Sequence, residues 1–144
     1  MAVTYTNNWK NILDKLTNII RTEFTFPVIK GKINNSSNQY IRLIPEGSDQ
    51  TELAAHSEQR DFNINIQYVT QRREEDERFI DHMAGQASRF EALIHDNITM
   101  TLADSTTAFH CHLPSQEFDV EIEDMEDKYI IQWDFVCSHV GNTA

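Results

Sequence analysis

The sequence predicts an α+β fold: a mostly antiparallel sheet with two amphipathic helices packed on one face. Two segments carry apolar residues at steps of three and four, which is the spacing of one helical face. Other segments alternate apolar and polar side chains, as half-buried strands do. Helices and strands do not alternate strictly along the chain, which favours α+β over a parallel α/β sheet. The length of 144 residues suits a single domain, 1-144.

The chain opens with a predicted helix over residues 8–24, followed by two short strands. The helix has a suitable N-cap at Asn7 or Asn8 and ends before Pro27. The strands are predicted over residues 27–33 and 40–44, and Pro45 is expected to end the second. The apolar face of the helix consists of Trp9, Ile12, Leu13, Leu16, Ile19 and Ile20.

Residues 46–60 are polar and are predicted to form a long loop. Structureless loops beyond about 12–15 residues are uncommon in compact domains and are usually functional or disordered. We expect a neighbouring subunit to order this loop. The interface candidates on it are Asp49, Gln50, Thr51, Glu52, His56 and Glu58.

Beyond the loop, a strand, a second helix and a strand-rich end are predicted. Residues 61–70 alternate as a strand, and residues 75–97 form a helix with acids in its first turn, which suits the helix dipole, and Asn97 as its stop. Residues 117–123 and 129–137 alternate on either side of a charged turn. The two helices are expected to bury Leu13, Leu16, Ile20, Phe79, Met83, Ala87 and Phe90 against Phe62, Ile64, Ile66 and Trp133.

The chain is strongly acidic, with 12 Lys and Arg against 23 Asp and Glu and a formal net charge of −11. Such a surface repels phosphate, so sequence-specific nucleic-acid binding is not expected. Residues 1–45 carry six basic and two acidic side chains, so the rest of the chain is more acidic still. This asymmetry suits head-to-tail contacts between copies, and the alternative is an ordinary solvated surface.

Seven carboxylates lie within residues 117–127, on one predicted hairpin. In a monomer they would only repel one another. Repeated around the axis of a ring, they would form a negative lumen or a charged docking surface. The lumen or docking candidates are Glu117, Asp119, Glu121 and Glu123.

No motif in the sequence predicts catalysis, a cofactor or a metal. The four glycines are isolated, so no phosphate-binding loop is present, and nucleophile-elbow and zinc-protease motifs are absent. His110, Cys111 and His112 supply too few convergent ligands for zinc, and surface histidines beside a buried cysteine are expected instead. We therefore expect a protein that is not an enzyme. No apolar run is long enough to span a membrane, and two cysteines fit a reducing cytoplasm.

The chain resembles the tail terminator and tail-completion (neck) proteins of tailed bacteriophages. The resemblance covers nearly the whole chain and is carried by the Trp-Lys-Asn-Ile-Leu opening of the first helix, the Tyr-Ile-Arg-Leu-Ile-Pro strand, the acidic start of the second helix and the final Tyr-Ile-Ile-Gln-Trp-Asp-Phe strand. It implies a structural virion protein that forms a hexameric ring, caps the tail tube and joins it to the neck. Implied partners are further copies of the chain, the tail tube protein and the neck or connector proteins. DNA would pass without specific binding, and assembly would occur in the host cytoplasm.

Three other functions fit parts of the sequence. Another head-tail connector or neck protein of the same particle would show this order of elements. An acidic inhibitor that mimics DNA would explain the negative charge, although that charge is concentrated in one hairpin. A small hydrolase using His110 and His112 is a further alternative, which metal analysis of the purified protein would test.

Overall fold

The computed structural model describes residues 5–31, 38–71, 77–118 and 128–142. They form helix α1 (Asn8–Glu23), strands β1 (Val28–Lys30), β2 (Gln39–Leu53) and β3 (Ser57–Gln71), helix α2 (Glu77–His95), and strands β4 (Met100–Thr101), β5 (Thr107–Phe118) and β6 (Lys128–Asn142). Asn7 is the N-cap of α1, and its side chain accepts a hydrogen bond from the backbone N–H of Lys10 at 3.1 Å. Both predicted helices and the predicted strands over residues 27–33, 40–44, 61–70 and 129–137 therefore have counterparts, and several strands are longer than expected. The predicted strand over residues 117–123 lies mostly outside the described residues.

The six strands form one sheet in the order β1-β2-β3-β6-β5-β4. β1 pairs with β2 in parallel, and every other pair is antiparallel. β3 and β6 are central and pair from Ser57–Asn142 to Gln71–Lys128. The predicted fold class, α+β with a mostly antiparallel sheet, is confirmed.

Both helices pack on the same face of the sheet, over its central strands. A single apolar cluster joins them to that face, and it contains all eleven of the predicted core residues. Phe90 of α2 lies against Trp133 of β6, with ring centroids 4.4 Å apart. At the other end of the core, Trp9 of α1 meets the Phe62 ring edge-on at 4.8 Å. The predicted helix stripes and strand alternation thus locate the core correctly.

Arg89 of α2 connects the two helices at the carboxyl end of α1. Its guanidinium donates to a Glu23 side-chain oxygen at 2.6 Å and also to the Glu23 backbone carbonyl. The same group lies 4.6 Å from the centre of the Phe24 ring. A cation at a helix C-terminus satisfies a free carbonyl and complements the helix dipole, so Arg89 fixes the position of α1 relative to α2.

The predicted loop over residues 46–60 is wrong, because these residues form the distal halves of β2 and β3. Gln50 pairs with Arg60 and Leu53 with Glu58, which leaves only a short turn at residues 54–56. Both faces of this hairpin are largely exposed, so no apolar alternation marks it in the sequence. Backbone pairing, rather than side-chain burial, makes these residues extended.

Pro45 was also expected to end a strand, but β2 continues through it, as β5 continues through Pro114. At Ile41 and Leu43, the backbone of β2 forms hydrogen bonds on the side away from β3, to the segment that contains β1. By the same alternation, the N–H that Pro45 lacks would point away from β3, so its absence removes no hydrogen bond to β3. β2 and β5 both have register irregularities close to their prolines. β1 and β4 are only three and two residues long, so most of the outward edges of β2 and β5 extends beyond them. Prolines and bulges on these edges discourage pairing with another chain.

Among the described residues, no helix has the length and apolar character needed to cross a membrane. The acidic residues before Glu77 and most of the acidic hairpin lie outside the described residues.

Candidate functional site

The hairpin formed by residues 46–60, which we call the arm, carries every predicted interface candidate. Asp49, Gln50, Thr51 and Glu52 lie on β2, His56 in the turn and Glu58 on β3. All except Glu58 are exposed, and Glu58 is half-buried. The arm therefore brings these side chains together at one end of the sheet, where β3 pairs with β2 on one side and with β6 on the other.

Hydrogen bonds between its two strands make the arm an ordered element. Gln50 donates to a Glu58 carboxylate oxygen at 2.6 Å, and the Thr51 hydroxyl donates to the Gln59 carbonyl at 3.2 Å. Arg60 bonds both Glu58, at 3.2 Å, and the Ser48 hydroxyl, also at 3.2 Å. The bond from Gln50, and then the nearby Arg60, lower the pKa of Glu58. The arm is thus pre-shaped, which lowers the entropy lost when a partner binds it.

The charge of the arm differs from that of α1. The arm holds four carboxylates and one arginine. On α1, Lys10 and Arg21 are exposed and Lys15 is half-buried. Asp14 bonds Lys10 at 2.7 Å and also bonds Lys30, and these contacts lower its pKa. The structure thus presents an acidic arm and a predominantly basic helix as separate surfaces of one chain.

His139 lies at the base of the arm, where β6 pairs with Arg60 of β3. Its Nε2 is 2.8 Å from the Thr106 hydroxyl, which donates to the Asp104 carboxylate at 2.5 Å. Because the single hydroxyl proton of Thr106 points to Asp104, Nε2 of His139 must be the donor in the first contact. Burial lowers the pKa of His139, and the Asp104 charge opposes that effect only in part. This neutral histidine attaches the β4–β5 turn to the central strand.

We expect the protein to lose stability in mild acid through His139. A depressed folded-state pKa means that the unfolded chain binds the proton more readily, so stability is present above the ordinary pKa of about 6.5 and falls as the pH drops below it. The loss comes from burying a charged imidazolium, because Nε2 keeps its bond to Thr106 in either protonation state. The measurement is urea unfolding of the wild type and of His139→Gln between pH 7.5 and 5. The variant should show the smaller dependence on pH, and equal dependence in both would contradict this account.

A row of polar side chains crosses four strands on the face opposite the helices. Arg42 donates to the Gln67 side-chain oxygen at 2.9 Å through Nε, Gln67 donates to Gln132 at 3.3 Å, and Gln132 donates to Glu117 at 3.0 Å. Arg42 is 1% exposed and Gln67 is 5% exposed. Burial lowers the pKa of Arg42. Such a network contributes to a unique structure when its groups are satisfied.

Glu117 is therefore joined to this polar row, although its own side chain is exposed. It is the first of the four lumen or docking candidates. The other three, Asp119, Glu121 and Glu123, lie outside the described residues. The structure thus shows a local structural contact for one member of the acidic set.

His110 and Cys111 lie within the first register shift of β5, between Phe109 and His112, and together with His112 they line a pocket of about 520 Å³. His110 and His112 are exposed and Cys111 is 2% exposed, as the sequence predicted. The pocket is closed on its other side by α2 and the turn that follows it, with lining residues Glu91, Ile94, His95, Ile98 and Leu113. In the part of the chain that the structure describes, no group of three or more His, Cys, Asp or Glu side chains is placed to hold a metal ion.

Comparison with known proteins gives a likeness in fold. No family model and no curated protein matches the chain. A solved structure does match. It is a chain of the virion of a native gene transfer agent (GTA) particle, with a TM-score of 0.54 and 14% sequence identity. The match covers 88% of this chain and 84% of that one, so the two share an overall fold.

Sequence reasoning missed two of the residues described above. Arg42 lies in a strand with apolar neighbours, and the alternation of that strand puts it on the face opposite the helices, where it is nevertheless buried. His139 ends an alternating strand, which did indicate that it points to the core side. Its partners Thr106 and Asp104 are local to a turn some 30 residues away in sequence, and no spacing rule connects them.

Proposed function

We propose that this chain is a structural protein of a tailed-phage or phage-like virion, with an architectural rather than an enzymatic role. The observation that carries the proposal is the shared fold with a chain of the gene transfer agent virion, over most of both chains. The resemblance of the sequence to tail terminator and neck proteins supports it independently. Among the described residues, the exposed polar β2 half of the arm offers a surface for a neighbouring subunit.

We further propose that copies of the chain form a ring, most simply a hexamer, that caps the tail tube and joins it to the neck. In a head-to-tail ring the acidic arm of one subunit would contact the basic α1 surface of the next. Prolines and bulges on the outward edges of β2 and β5 favour contacts made by side chains over continuation of the sheet between subunits. The tail tube protein and the neck or connector proteins would occupy the two faces of the ring.

The acidic residues fit a passage for DNA in this proposal. A lumen lined by Glu117, Asp119, Glu121 and Glu123 would repel phosphate, so DNA would pass without specific binding. Glu117 accepts a hydrogen bond from Gln132 on the face of the sheet opposite the helices. We propose that this face of the sheet is directed toward the axis of the ring.

The experiment that tests the proposal is removal of the chain from the particle that encodes it. Without a cap, tails should be abnormal in length and should not join to heads, and electron microscopy of lysates should show both defects. Labelling of the restored protein should then place it at the head-proximal end of the tail. Normal, complete particles without the chain would contradict a virion role. Labelling elsewhere in the neck would favour the alternative connector function.

A further inference from the structure

Cys111 and Cys137 are neighbours across strands β5 and β6. Phe109 pairs with Ser138 and His112 pairs with Val136, so the irregular segment between these pairs places Cys111 opposite Cys137. Both cysteines belong to the apolar cluster, with exposures of 2% and 0%. The Cys111 thiol donates to the Ala108 carbonyl at 3.9 Å, and each of the two thiols is the largest cause of the shift in the other's pKa. Two thiols on paired antiparallel strands can approach closely enough to form a disulfide.

The surroundings of the two thiols are unequal. Cys111 forms part of the wall of the pocket between α2 and β5, which opens to solvent, whereas Cys137 does not line it. His110, next to Cys111, has a φ of 53°. A non-glycine residue in this left-handed region is uncommon, and such strain concentrates at functional positions. The pocket therefore gives a small molecule a route to one of the two thiols.

We propose that Cys111 and Cys137 are a redox-active dithiol that exchanges with low-molecular-weight disulfides entering this pocket and closes to an intrachain disulfide. This site is independent of the proposed role in the virion. The reactant is a disulfide of the glutathione class, which would enter the pocket with one end and carries the oxidising equivalent.

The exchange has two balanced steps. The Cys111 thiolate attacks one sulfur of glutathione disulfide, the S–S bond of glutathione breaks, and the departing glutathione thiolate takes up the proton that Cys111 lost. The Cys137 sulfur then attacks the Cys111 sulfur of the mixed disulfide and gives up its proton to the second departing glutathione. Overall, two protein thiols are oxidised and one glutathione disulfide is reduced to two glutathione molecules.

The direction of this exchange follows from the contact between the thiols. The hydrogen bond donated by Cys137 lowers the pKa of Cys111, while that contact and burial raise the pKa of Cys137. The thiolate is the nucleophile in thiol–disulfide exchange, so Cys111 attacks first and Cys137 completes the bridge.

The bridge would connect β5 to β6 at the irregular segment of β5. Closing a loop between residues 111 and 137 restricts the unfolded chain and should raise Tm by about 10 °C. The dithiol would remain reduced in a reducing cytoplasm and would close outside it. The protein would thus become more stable after leaving the cell in which it folded.

The test is incubation of the reduced, folded full-length protein with glutathione disulfide, followed by intact mass measurement and thiol alkylation in denaturant. The wild type should lose the mass of two hydrogen atoms and should have no thiol left to alkylate. It should also show the higher Tm. A wild type that keeps two free thiols, under conditions that oxidise the urea-unfolded chain, would overturn the proposal.

Two single substitutions separate the roles of the thiols. Cys137→Ser should accumulate one glutathione on Cys111, because the second step is blocked. Cys111→Ser is the matched control and should remain unmodified, because Cys137 is not reached from the pocket. Glutathione on Cys137 in that control, or disulfide-linked dimers of the wild type, would overturn the assigned order. The wild-type experiment needs neither substitution. It can therefore refute the proposal even if a variant folds poorly.

Discussion

Replacing Phe90 with alanine is expected to lower the free energy of unfolding by about 3–5 kcal/mol. Phe90 is 1% exposed, and its ring lies between Trp133 of β6 and Phe24 at the end of α1, with centroid distances of 4.4 and 6.5 Å. The substitution removes a large apolar surface and leaves a cavity that rigid neighbours cannot fill. Because Phe90 touches the sheet and the connection to α1, the loss affects all layers of the fold.

Equilibrium unfolding in urea, with circular dichroism as the probe, measures this loss. Leu16→Ala is expected to lower the free energy of unfolding by about 2–5 kcal/mol, since Leu16 is fully buried on α1. Ser88→Ala is the matched control because Ser88 is exposed on the same helix as Phe90, and its effect should stay within about 0.5 kcal/mol. Losses below about half a kcal/mol at both Phe90 and Leu16 would show that the described core is wrong.

The helices and the core could be predicted because their signal is periodic burial. The stripe on α1 recurs at helical spacing, and the face of β3 from Phe62 to Tyr68 alternates with period two. Such a pattern identifies a helix or a strand only where one face of that element is buried. These elements lie where the two helices cover the sheet, and there sequence and structure agree.

The arm could not be predicted because neither of its faces is buried. Residues 48–53 contain no apolar alternation. The part of β3 that pairs with them, residues 57–61, is also polar. Backbone hydrogen bonds to β3, and from β3 to β6, hold the arm extended. Composition alone predicts a loop for such a segment, because it depends on side chains and carries no information on backbone pairing between distant strands.

The remaining site features depend on register between distant strands. Arg42, Gln67, Gln132 and Glu117 form one row because four strands align them, and a shift by one residue would place each on the opposite face. Cys111 reaches Cys137 through the irregular register of β5 between Phe109 and His112. Bulges of this kind have no reliable sequence signal apart from nearby Pro or Gly.

Shortening the arm is expected to abolish assembly into particles while leaving the subunit folded. Residues 51–59 would be replaced by Asn-Gly, which favours a two-residue turn and would close the hairpin at the Gln50–Arg60 pair. The removed residues lie outside the apolar cluster, so the subunit should keep its core and unfold cooperatively. It would lose Glu52, His56 and Glu58. These residues belong to the surface that we propose contacts the next subunit.

The measurement pairs a thermal melt of the purified variant with its incorporation into particles, followed by immunoblotting of purified virions and by electron microscopy. Glu52→Asp is the matched control, since it keeps both the length and the charge of the arm, and it should be incorporated like the wild type. Within a full-length arm, Glu52→Lys places a cation opposite the basic α1 surface and should reduce incorporation, and Arg21→Glu on α1 should partly restore it. If the short-arm protein enters particles as the wild type does, the arm is not part of the assembly contact. Failure of Arg21→Glu to restore Glu52→Lys, with the short arm still defective, would instead assign the contact of the arm to a surface other than α1.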